Sequence, residues 1–187
     1  VDGSRLLRAG LKLAEISNFI LQILLDEYQL GNQNALILNA ALCKTGPHTA
    51  VVFIGSGRDE TALAFCMETN AAFLGGAVAF EETRKLILPL PIPARIGADD
   101  AAIAMADPGP LQLWSDKRGH FISASGQSNE SPQYCIQSVF FLKEQAVCDE
   151  AITPLNEKAS LLALNAAKRP TTYAFDAQKV KTLQGWA

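Results

Sequence analysis

Residues Ala35 to Gly57 read ALILNAALCKTGPHTAVVFIGSG, two apolar runs parted by a turn and closed by a pair of glycines around Ser56. The second run, Thr49 to Ile54, is short and bounded by turn residues, which predicts a buried strand. The first, Ala35 to Cys43, fits a strand or a helix segment. The cluster Lys44-Thr45-Gly46-Pro47 between them predicts a turn.

Beyond Gly57 the apolar spacing lengthens. Leu63, Phe65, Cys66, Met67, Ala71, Phe73, Leu74, Val78 and Phe80 predict a long buried helix reaching about Thr83, with Gly75-Gly76 bending it or admitting a close neighbour. Upstream, Arg8, Lys12, Glu15, Asn18, Gln22 and Asp26 recur every three or four residues. That spacing places them on one narrow stripe of a helix from Ser4 to Leu30, with Asp2, Gly3 and Ser4 as caps before it and Gly31-Asn32 as its stop. More than half of its circumference is apolar, so it must be buried on more than one side, by its own domain or by a second copy.

Arg84 to Leu90 reads as a strand. Pro89, Pro91 and Pro93 deny ladder donors, so the sheet ends there or the strand becomes an edge. Ala101 to Ala106, Leu111 to Trp114 and His120 to Ala124 are short strands joined by Asp107-Pro108-Gly109-Pro110 and Ser115-Asp116-Lys117-Arg118-Gly119, a pattern of antiparallel hairpins. Ser125 to Gln133 is a polar loop, Tyr134 to Leu142 a strand, and Glu144 to Ala166 mostly helical with a break near Pro154. The tail from Lys168 is weakly patterned. The expected fold is α+β, a mainly antiparallel sheet covered by a long N-terminal helix and a second buried helix, in one globular domain of residues 1–187.

The whole chain has 187 residues, 49% hydrophobic and 19% charged, with a formal net charge of −3. One core is the default at this size. The field is too weak to steer a polyanion, and the longest basic stretches, Arg84-Lys85 and Lys117-Arg118, are too short for a phosphate-tracking groove, so no nucleic acid is expected as partner. The polar interruptions between Leu6 and Leu30 leave fewer than the roughly twenty unbroken apolar residues of a membrane span. Cys43, Cys66, Cys135 and Cys148 form no C-x-x-C pair, and His48 and His120 lack finger-like spacing. Neither a zinc site nor any cofactor is expected. Cys43 with Cys66, or Cys135 with Cys148, are among the pairings the chain allows, beside simple buried thiols.

The densest candidate for chemistry is Gly55-Ser56-Gly57-Arg58, where a strand opens through glycines into a helix whose free N–H groups and dipole favour an anion. Neither the dinucleotide fingerprint nor the P-loop is present, since position 60 is Glu and no Gly-Lys-Ser/Thr follows. The structural alternative is a capping box, Ser56 as N-cap with Asp59 three residues on. His120, near Ser123 and Ser125 with Asp116 as orienting carboxylate, is a weak catalytic candidate, because on a strand His120 and Ser123 face opposite sides. Asp99-Asp100 and Asp107 lack the order of a calcium loop. Asn129-Glu130-Ser131 is a glycosylation sequon that matters only in a secreted chain.

Two functions follow from these residues. The first is a non-catalytic structural or binding subunit that self-associates through the N-terminal helix, with Leu7, Leu11, Phe19 and Ile23 at the interface. The second is a small enzyme or binding protein for a phosphorylated or carboxylated small molecule, using the backbone of Gly55, Ser56 and Gly57, the Arg58 charge and His120 as proton carrier.

Overall fold

The computed structural model of the chain describes residues 13–32, 35–81, 86–90, 92–99, 111–116, 119–124, 133–143 and 152–167. Leu7 and Leu11, the expected strand at 101–106, Asp100, Asp107, Ser125, the sequon at Asn129, Cys148 and the tail from Lys168 lie outside the described residues. Two units divide the chain, Val1–Gln33 and Asn34–Ala187.

The first unit holds α1, Leu13–Gly31; the part of the expected helix from Ser4 to Lys12 lies outside the described residues. It stops where the sequence places the stop. Asn32 donates both its backbone N–H (3.0 Å) and its side-chain amide (2.9 Å) to the Tyr28 carbonyl, one of the groups a helix end leaves open. No helix among the described residues is long and apolar enough to cross a membrane.

The second unit is α+β, with ten strands in three sheets among the described residues. The run from Ala35 resolves into β1 (Ala35–Leu38) and β2 (Ala40–Gly46), and β2 turns back through Pro47-His48 into β3 (Thr49–Gly55). The helix α2 follows (Arg58–Thr69), then β4 (Ala72–Gly75), β5 (Ala77–Glu81), β6 (Leu86–Leu90) and β7 (Ala94–Ile96). The hairpin β8–β9 (Leu111–Asp116, Gly119–Ala124), β10 (Cys135–Leu142) and α3 (Glu157–Ala167) complete it. The orders are β1-β5-β6, β10-β3-β2-β4 and β7-β9-β8, with every pairing antiparallel except β10 on β3. The expected single sheet is thus three, and β6, which carries Pro89, is an edge of its sheet.

The second buried helix is shorter than the spacing predicts. The helix expected to reach Thr83 ends at Thr69, where Asn70 takes a left-handed backbone (φ 56°), and β4 and β5 occupy the rest. The apolar residues from Ala72 onward alternate between faces. Phe73 packs with α2, while Leu74, Val78 and Phe80 point into the opposite core. Gly76 then admits a neighbour as its lack of a side chain allows: its N–H bonds the Ile92 carbonyl at 2.8 Å.

Two cores result. The first gathers Leu36, Leu38, Leu42, Val52, Ile54, Val78, Phe80 and Ile87 from the first two sheets with Leu164 of α3. The chain changes sheet at Asn39, whose N–H donates to the Ala167 carbonyl at the end of α3. The second core lies on the other face of β2 and β3, where Ala41, Cys43, Val51 and Phe53 meet Ala62, Leu63 and Cys66 of α2 and Ala94, Ile96 and Ile122 of the third sheet. This two-sided burial explains the unbroken apolar run of β3.

Candidate functional site

The turn from β3 into α2 is set by its neighbours. Gly55 closes β3 with φ 113° opposite Leu142 of β10, and a Cβ there would collide with the Leu142 carbonyl oxygen. Only glycine fits both demands. Gly57, with φ 66°, is the N-cap of α2, and its carbonyl accepts the Thr61 N–H at 2.9 Å. The expected capping box is therefore absent. The cap falls one residue past Ser56, and no side chain caps the helix. Gly55, Ser56 and Gly57 are exposed, so the anion candidate sits at the surface.

The buried face of α2 carries Asp59, Ala62, Leu63 and Cys66, the i, i+3, i+4, i+7 stripe of a helix on a core. Asp59 is drawn inward by that spacing, leaving 8% of its surface exposed. Its Oδ2 accepts the Arg95 backbone N–H from β7 at 3.1 Å. Its Oδ1 stands 3.1 Å from Arg58 Nε, as a charge contact without hydrogen-bond alignment. Burial pushes the Asp59 carboxyl above its ordinary range, and Glu60 adds to this, against the opposing pull of Arg58 and the Arg95 N–H. Arg58, the cation expected to face a bound anion, thus already faces a carboxylate of its own helix.

On the neighbouring sheet His120 meets Ser115, with Oγ 2.6 Å from Nδ1. The hairpin register pairs Ser115 with His120, which places these two side chains side by side across two strands; Asp116 pairs with Gly119, and the side chain of Asp116 lies outside the described residues. Ser115 was not singled out in the sequence, although its place in the turn cluster just before the His120 strand is the signal that could have found it. Ser123 lies three residues along β9 from His120, on the other face. Strand β7 connects the two candidate regions. The Arg95 N–H holds Asp59, its neighbour Ile96 pairs with His120, and the Arg95 guanidinium lies beside Gly119.

Among the described residues no group of three or more His, Cys, Asp or Glu side chains is placed to hold a metal ion; Asp99 is exposed. Of the expected interface residues, Phe19 and Ile23 fall on α1. Ile23 is half-buried, and the side chain of Phe19 lies outside the described residues. On the same helix Ile20, Leu24 and Leu30 stand in solvent. No protein-family model matches the chain, and no curated protein or solved structure gives a significant match to it.

Proposed function

We propose that the chain is a non-catalytic structural or binding subunit that associates with copies of itself through α1. The observation that carries this is the exposure of Ile20 (50%) and Leu24 (59%), one helical turn apart, with Leu30 (40%) further along. Burying one such side chain against a neighbour is worth about 1.5–3 kcal/mol, so a short stripe contributed by each of two subunits makes a substantial apolar contact. The Gly55–Arg58 turn supports the same reading, since its arginine is opposed by Asp59 and followed by Glu60, a poor setting for an added anion.

The test is a double substitution, Ile20→Asp with Leu24→Asp, read by native mass and far-ultraviolet circular dichroism. The expected result is a drop in mass to one chain with the helical signal retained, because both side chains lie at the surface. An unchanged oligomer removes α1 as the interface. A wild-type chain that is already single transfers the assignment to a phosphorylated or carboxylated small molecule at Gly55, Ser56, Gly57 and Arg58, to be sought by thermal stabilisation.

A further inference from the structure

Cys43 on β2 and Cys66 on α2 are both free thiols, 0% and 7% exposed, within the second core. The Cys43 Sγ–H donates to the Ala62 carbonyl at 3.5 Å. Ala62 stands one helical turn before Cys66 on the buried face of α2, so the strand thiol lies beneath the turn that carries the helix thiol. Hydrogen bonding with Cys66, and then burial, hold the Cys43 thiol far above its ordinary range, which keeps it protonated.

We infer that Cys43 and Cys66 form a dithiol that a hydroperoxide converts into a disulfide tying α2 to β2. The inference is independent of the assembly reading. Cys66, the less enclosed of the two, is the first to react: its sulfur attacks a peroxide oxygen, the O–O bond breaks, and a sulfenic acid and water (from hydrogen peroxide) result. The Cys43 sulfur then attacks the sulfenic sulfur, the S–S bond forms, the S–O bond breaks, and the hydroxyl leaves as water with the Cys43 proton. Two thiols and one hydrogen peroxide give one disulfide and two waters. Both sulfurs sit in apolar packing, so the rate follows the opening of α2 from its sheet.

The experiment uses the full chain in native buffer with hydrogen peroxide, followed by alkylation of the remaining thiols in denaturant and tryptic digestion. The four cysteines fall in separate tryptic peptides, 13–44, 59–84, 119–143 and 144–158, so any link is assigned by mass. The expected product joins 13–44 to 59–84 and disappears on reduction. Recovery of both peptides alkylated, or of Cys66 as sulfinic or sulfonic acid beside an alkylated Cys43, overturns the inference. In Cys43→Ala, labelling of Cys66 by a sulfenic-acid trap should rise several-fold over wild type; equal labelling also overturns it. Where that variant fails to fold, the wild-type link alone decides.

Discussion

Asp59 shows how a single side chain is pulled between helix periodicity and solvation. Its place on the buried stripe of α2 raises its carboxyl above the ordinary range, so the folded state binds its proton more tightly than the unfolded chain does. The stability it contributes is therefore complete below the ordinary carboxylate range and is lost as pH rises through the folded-state value. Urea unfolding of wild type and Asp59→Asn at about pH 3.5, 5 and 7 should give a wild-type-minus-variant difference that falls with rising pH; a constant or rising difference contradicts the assignment. Gly55→Ala should cost about 1–3 kcal/mol, since it adds a Cβ against the Leu142 carbonyl at a positive φ. An unchanged unfolding midpoint would show that β10 can move aside. At this scale the sequence was partly legible. It placed the glycine turn and the acidic start of α2, but not the partner of Asp59, because Arg95 arrives from a strand 36 residues away.

Among the elements, those bounded by local chemistry were legible and those that trade one sheet for another were not. The hairpin β8–β9 and the strand β3 follow from turn residues on both sides. The end of α2 was missed because Ala72 to Phe80 holds no charged residue to separate a period of two from one of 3.6. The split of the Ala35 run into β1 and β2 was hidden for a similar reason: Asn39 marks the change of sheet with neither glycine nor proline. That junction is tied to α3 by the Asn39–Ala167 bond, and Leu164 is the one α3 residue fully buried in the first core. Leu164→Ala should accordingly cost about 2–5 kcal/mol. Hydrogen exchange should show α3 losing protection before β3 does; simultaneous loss would mean that α3 is not a separately docked element.

At the scale of the whole molecule, the strand unit spends its apolar residues on two cores, one between the first two sheets and one beneath α2. Composition required an apolar interior, yet neither composition nor pattern could say that β2 and β3 are buried on both faces. The apolar residues of α1 that stand in water are what the assembly reading explains. The measurement that tests it most directly is the native mass of the wild-type chain by light scattering across a concentration series, with and without reductant. The reductant separates packing from any link through the exposed Cys135. A defined multiple of 20.1 kDa that dissociates on dilution and ignores reductant is the predicted result; a mass of one chain at every concentration contradicts it.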